Sequence, residues 1–180
     1  EKYLFDLNGY LVLRQVLGAD EVAEMNAGID QHVDQVQQRD GSLVAESKAL
    51  AGSSHRKDLS GMLSWERPWC EPFRRLLAHP AIKPYLDGIL GEGYRLDHGP
   101  GLIAMDTGCE GGTLHGGGVE RTDLSEAYFF KAGRIYTGLT VVEFLLADEG
   151  PGDGGVAVIP GSHKANLSCP RSMKLWEQHQ

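Results

Sequence analysis

The chain has 180 residues, a formal net charge of −8 at pH 7 and 41% hydrophobic residues, which is typical of a globular domain with its own core. The acidic balance, without any run of Lys or Arg, argues against nucleic acid or an anionic membrane surface as partner. Three widely spaced cysteines, no Cys-x-x-Cys pair and no signal-peptide pattern predict a cytoplasmic protein without a disulfide framework.

The first predicted elements are a short strand and an amphipathic helix. Residues 10–13 are aliphatic or β-branched and follow an Asn-Gly turn, so they are predicted as a strand. A helix is predicted from an N-cap at Asp20, because apolar side chains then recur at three- and four-residue steps as far as Val36. His32 lies on the apolar side of this helix. A structural side chain is favoured there over a metal ligand.

A polar loop and two shorter helices are predicted next. Residues 39–61 are small and polar, a type of segment that often serves as a lid. One helix is predicted to end at Pro80, and another covers residues 82–90 and is ended by the glycine that follows. Trp65 and Trp69 are predicted to pack between these helices, with a substrate-lining role as the alternative.

The sequence becomes strand-like from Tyr94 onward. Short apolar runs alternate with Gly, Pro and Asp clusters in "YRLDHGPGLIAM", "GRIYTGLTVVEFLLAD" and "GGVAVIPGSHK". Helices in residues 1–93 followed by strands in residues 94–180 predict a single domain, 1–180. Its helices would cover one side of an antiparallel sheet or barrel.

The stretch "TLHGGGVER", residues 113–121, contains the main candidate for chemistry. His115 follows a predicted strand and precedes three glycines, which allow the backbone to approach a ligand closely. Imidazole is the commonest metal ligand in proteins. A tight turn explains the same residues, so from this pattern alone both interpretations stay open.

Two other positions also have two interpretations. Glu143 lies in an apolar run, where an ionised carboxylate is costly without a partner. It either faces solvent or pairs with Arg121 or Arg134, or it faces the interior near a metal. Asp97 and His98 precede a Gly-Pro turn, and they either cap that turn or line the same cavity.

Several of these motifs together resemble a known family. Residues 154–164, "GGVAVIPGSHK", resemble its signature, and "LFDLNGYLVLRQVLGADEVAEMNAGID" resembles its opening strand and helix. "RLDHGPGLIAM", "LHGGG" and "YTGLTVVEFLLAD" lie between them in the expected order. The chain is therefore identified as a member of the phytanoyl-CoA dioxygenase family of iron(II)- and 2-oxoglutarate-dependent oxygenases.

The resemblance implies a fold and a reaction. The fold is mainly β with N-terminal helices: a double-stranded β-helix, that is, a cupin-like jelly roll whose one sheet is buttressed by helices. Two histidines and one carboxylate hold Fe(II), which leaves positions for 2-oxoglutarate and O2. The implied activity is hydroxylation of a small organic substrate.

The family's His-x-Asp/Glu motif corresponds to residues 115–117 here. His115 matches the first ligand, but Gly117 stands where the carboxylate is expected. The resemblance leaves three interpretations. Glu120 or Asp123 could supply the carboxylate, with His115 and Glu120 as our predicted metal ligands. Chloride could occupy the vacated position, as in the related iron halogenases. The chain could also be a catalytically inactive, metal-free jelly-roll binding protein.

The "PGSHK" motif contains another histidine. In the family this histidine lies on a loop, so we predict that neither His163 nor the nearby Arg171 belongs to the metal site. The second metal histidine and the arginine that pairs with 2-oxoglutarate come later in the family. We expect them on C-terminal strands beyond residue 180.

Overall fold

The computed structural model describes residues 1–41, 47–116, 127–150 and 152–176. The helices in these residues are α1 (Lys2–Asn8), α2 (Ala19–Gln31), α3 (Glu71–Leu76), α4 (Lys83–Leu90) and α5 (Arg171–Lys174). The strands are β1 (Gln37–Gln38), β2 (Lys57–Leu59), β3 (Leu102–Ala104), β4 (Tyr128–Lys131) and β5 (Arg134–Thr137). Among the described residues, each helix is too short or too polar to traverse a lipid bilayer.

Glycines and one carboxylate set the helix ends. α1 ends at Gly9 and α4 at Gly91, with φ of 84° and 90°, conformations that glycine adopts without a Cβ penalty. α4 thus ends at the glycine predicted from the sequence. The N-cap of α2 is Gly18, whose N–H donates to the Glu21 carboxylate at 2.8 Å. The prediction of Asp20 as N-cap is therefore wrong. Asp20 lies in the first turn of α2, where its negative charge interacts favourably with the helix dipole.

The strands form two small antiparallel sheets. The first has the order β1-β2-β3, with Gln37 opposite Asp58 and Leu59 opposite Leu102. The second is the β4-β5 hairpin. Its two-residue turn has positive φ at Ala132 and Gly133, as a type I′ turn requires.

The main core joins α2, α3 and the first sheet. Its buried side chains are Met25, Leu59, Met62, Trp65, Cys70 and Phe73. Phe73 packs edge-on against Trp65, with ring centroids 5.3 Å apart. On α2, a Cβ at Gly28 would lie 3.3 Å from the Phe73 ring, so a glycine there allows close packing of α2 on α3.

The prediction that His32 is structural is confirmed. Its ring stacks on Trp65, with centroids 3.9 Å apart and planes within 3°. Its Nδ1 donates to the carbonyl oxygen of Gly28 at 2.7 Å. Trp65 is only 9% exposed and is a packing residue as predicted, but it packs against His32 at the end of α2 and Phe73 on α3 rather than between α3 and α4.

Three predicted strands are not formed within the described part of the chain. Residues 10–13, 139–146 and 156–159 have no regular secondary structure and belong to neither sheet. Alternating apolar residues indicate a face that can be buried, whereas a strand also needs a neighbour for its backbone hydrogen bonds. β1 and β2 lie within residues 1–93 and α5 lies within 94–180, so each half contains both helix and strand.

Candidate metal site

His115 is exposed and lies in an irregular stretch between β3 and the hairpin. Its Nδ1 is 3.0 Å from the carbonyl oxygen of Thr113. Because a carbonyl oxygen only accepts, Nδ1 carries the proton of the neutral ring and Nε2 keeps its lone pair. Metal-binding histidines typically offer one nitrogen to the metal while the other donates to a carbonyl or carboxylate. His115 therefore fits a metal ligand acting through Nε2.

The backbone around His115 is fixed by two other parts of the chain. The N–H of Leu114 donates to the carbonyl of Lys174 in α5 at 3.1 Å, and the N–H of Gly111 donates to the carbonyl of Leu50 at 2.9 Å. Gly116, directly after His115, has φ of 145°, which favours glycine at this position. The first of the three glycines thus has a conformational reason to be there.

The predicted carboxylate ligand, Glu120, lies outside the described residues, as do Gly117 and Asp123. Within residues 1–41, 47–116, 127–150 and 152–176, no group of three His, Cys, Asp or Glu side chains is arranged to hold a metal ion. His115 is thus not part of a metal-holding group within the described residues.

The structure distinguishes the alternatives for the other acidic candidates. The side chain of Glu143 is exposed, which supports the interpretation that it faces solvent. Partial desolvation, with a smaller contribution from the charge of Glu149, raises the pKa of Glu143. Asp97 and His98 have exposed side chains that pair with each other at 2.9 Å in a bend. Their exposure argues against the interpretation that they line a cavity.

The "PGSHK" histidine packs against α1, far along the chain from its own position. His163 Nε2 donates to the carbonyl oxygen of Asp6 at 3.1 Å, and its ring meets Tyr128 edge-on at 4.5 Å. Tyr128 in turn donates its hydroxyl to the Asp6 carboxylate at 2.5 Å. Lys164 also donates to the Asp6 carbonyl. This motif is thus a tertiary anchor for α1, in keeping with the prediction that His163 is not a metal ligand.

A close approach of backbone to ring completes this anchor. A Cβ at Gly9 would lie 2.3 Å from His163 Nδ1, so only glycine leaves room for the ring. His163 Nδ1 is buried and has no hydrogen-bond partner in the described structure. Arg171, predicted as a loop residue, instead begins α5. No local pattern indicated Asp6 or Tyr128, because both contacts join distant parts of the chain.

Burial sets the protonation of the anchor. Desolvation is the main cause that lowers the pKa of His163, and the charge of Lys164 contributes. The pKa of Tyr128 is raised, mainly by desolvation and to a smaller extent by the hydrogen bond to the Asp6 carboxylate. Both rings are therefore neutral near pH 7.

We expect the anchor to make the fold sensitive to acid. The pKa of His163 is lower in the folded protein than the usual histidine value of about 6.5, which applies to the unfolded chain. The stabilisation that neutral His163 provides is therefore complete above about pH 6.5, and it is lost as the pH falls through the lowered pKa of the folded state. The urea midpoint of the native protein should fall more between pH 7 and pH 5 than that of His163→Gln, whose amide does not titrate. Equal falls in the two proteins would show that His163 is not the source of the effect.

Two cavities lie away from His115. They have volumes of about 680 and 700 Å³ and share Lys2, Tyr3, Gly88 and Ile89 in their walls. The first is formed between α1, α4 and the β4-β5 hairpin, and the second between α1, α4 and the segment before α4. His115 is in neither wall.

Among the described residues, His115 Nε2 has no hydrogen-bond partner, and the strands form small antiparallel sheets beside short helices. The family model described as Phytanoyl-CoA dioxygenase (PhyH) matches residues 5–177. The chain belongs to this family. The family has a cupin or jelly-roll fold, and its members are in general iron(II)- and 2-oxoglutarate-dependent oxygenases. No curated protein and no solved structure matches the chain.

Proposed function

We propose that the chain is an iron(II)- and 2-oxoglutarate-dependent dioxygenase that hydroxylates a small organic substrate with O2. Membership of the phytanoyl-CoA dioxygenase family over residues 5–177 is the observation that carries this proposal. The geometry of His115 supports it, since the hydrogen bond to Thr113 leaves Nε2 available to the metal. The proposed fold is a double-stranded β-helix formed by a single domain, 1–180.

The chain's own residues have a limited and definable part in this chemistry. Iron and 2-oxoglutarate, when bound, would activate O2, which is the oxidant, and the protein supplies placement and exclusion of water. His115 is proposed to bind the metal through Nε2, with Thr113 holding the ring in the required tautomer. Glu120 is proposed as the carboxylate ligand, because it is close to His115 in sequence.

Gly117 favours a second candidate function. A glycine at the carboxylate position removes one anionic ligand from the metal, and a halide can then occupy that position. In this alternative the enzyme transfers chlorine to its substrate, and Glu120 has no role at the metal.

Turnover of 2-oxoglutarate tests the proposed function. The full-length protein, supplied with Fe(II), 2-oxoglutarate and O2, should form succinate and CO2 even without its proper substrate, at a slow rate that a chelator of iron abolishes. Succinate formation that does not depend on chloride supports the dioxygenase, whereas a strict need for chloride supports the halogenase. No succinate under any of these conditions would contradict both, and would leave a metal-free binding protein.

A further inference from the structure

We propose that Glu110 is a positioning residue for His115. Its buried carboxylate, braced by His55, locks the segment that carries His115 onto the loop formed by residues 47–55. This inference rests on the proposed role of His115 as a metal ligand. It adds a residue that the family motif does not include.

The carboxylate of Glu110 is unusual in being buried. Glu110 is only 4% exposed, whereas acidic side chains are almost never fully buried unless they are paired. Its Oε1 lies 3.1 Å from Nδ1 of His55, whose side chain is 37% exposed. For a buried carboxylate, losing a charged neighbour is more costly than losing an exposed ion pair.

The backbone beside this pair is continuous with the 47–55 loop. The N–H of Ser53 donates to the carbonyl of Gly108 at 2.8 Å, and the N–H of Glu110 donates to the carbonyl of Ser54 at 2.9 Å. Ser54 and Cys109 form a parallel bridge. The two segments therefore run side by side on the approach to His115.

Gly52 shows how closely the two backbones approach. A Cβ at Gly52 would lie 2.2 Å from the backbone nitrogen of Glu110 and 2.6 Å from the carbonyl oxygen of Gly108. Such contacts with backbone cannot be relieved by rotating a side chain. The loop thus fits against the Glu110 segment only while residue 52 is a glycine.

The same loop reaches the other side of His115. Ser47, which is 3% exposed, donates its hydroxyl to the carbonyl of Leu175 at 2.6 Å. The neighbouring residue Lys174 accepts the N–H of Leu114 at 3.1 Å. His115 therefore follows a segment braced at Glu110 by the loop and at Leu114 by the end of α5. A ligand needs such support to be held in a productive geometry.

The test compares Glu110→Ala with the conservative Glu110→Gln, which keeps the size of the side chain and a carbonyl oxygen beside His55. Glu21→Ala is the matched control, because Glu21 also pairs with a histidine, His79, at 3.6 Å but lies on α2. Fe(II) affinity is measured by anaerobic titration. The tautomer of His115 is measured in the metal-free protein by nitrogen NMR, and stability by urea unfolding.

We expect Glu110→Ala to weaken Fe(II) binding by about tenfold or more, within the range seen when outer partners of metal ligands are removed. In the same variant, His115 should change from the Nδ1-protonated tautomer to the mixture of a free histidine. Glu110→Gln should restore much of both properties. Glu21→Ala should lose stability without either change.

A second variant keeps the proposal testable if Glu110→Ala does not fold. His55→Ala removes the brace from its exposed side, and it should cause the same shift of the His115 tautomer. Unchanged Fe(II) affinity and tautomer in His55→Ala, or equal changes in Glu21→Ala, would overturn the proposal. Failure of the proposed function is separate: in that case His115→Ala itself would leave Fe(II) affinity unchanged.

Discussion

His115→Ala is expected to reduce Fe(II) affinity by about a hundredfold or more, since loss of an outer partner alone typically costs ten- to a hundredfold. The reason is the loss of a ring whose Nδ1 is held by the Thr113 carbonyl and whose Nε2 is proposed to bind the metal. The exposed position of His115 means that the substitution opens no cavity, so the stability of the fold should change little. Anaerobic titration with Fe(II) measures the first effect and urea unfolding measures the second.

His98→Ala is the matched control for this experiment. His98 is also an exposed histidine in an irregular segment, with 76% of its side chain accessible, and it pairs only with its neighbour Asp97 in the described structure. Its loss should leave Fe(II) binding unchanged. Equal affinities of the His115→Ala and native proteins would show that His115 does not bind the metal.

Phe73→Ala is expected to have the largest effect on stability, about 3 to 5 kcal/mol of unfolding free energy, as is typical of a buried Phe truncated to Ala. Phe73 is 2% exposed and contacts both Trp65 and the backbone face of α2 at Gly28. Short helices around this core leave little freedom to fill the space. Since a domain is usually stable by about 5 to 15 kcal/mol, the variant should be close to unfolding at room temperature.

Phe130→Ala provides the comparison for this core substitution. Phe130 lies in the β4-β5 hairpin and is 61% exposed, so its truncation should change the unfolding free energy by less than about 0.5 kcal/mol. Urea unfolding of the two variants, followed by tryptophan fluorescence, gives the difference. If both variants lost the same stability, the core would not be centred on Phe73.

The helical part of the fold was predictable because its signals are local. The apolar stripe and following glycine of α4, and the packing of His32 on the inner side of α2, depend on residues close together in sequence. The N-cap of α2 was misplaced by two residues because the Glu21 side chain caps the N–H of Gly18, and this competes with the ordinary preference for Asp as N-cap.

The sheets and anchors were less predictable because they depend on distant partners. Residues 10–13 have strand-like composition, but no described segment pairs with them. Two contacts join separate parts of the chain: His163 with Asp6, and Glu110 with His55. The spacing of residues in the sequence therefore does not predict them. The signature at residues 154–164 and the opening segment identified the family, while the metal ligand set is a proposal.

The central claim is tested most directly by an anaerobic titration of the full-length protein with Fe(II) and 2-oxoglutarate, with and without chloride, followed by visible absorption. The account predicts a charge-transfer band from the chelate of 2-oxoglutarate on iron, and it predicts that His115→Ala abolishes this band. A band that tightens with chloride would favour the halogenase candidate created by Gly117. If the native protein gave no band at any concentration of iron and 2-oxoglutarate, the proposed oxygenase function would be contradicted.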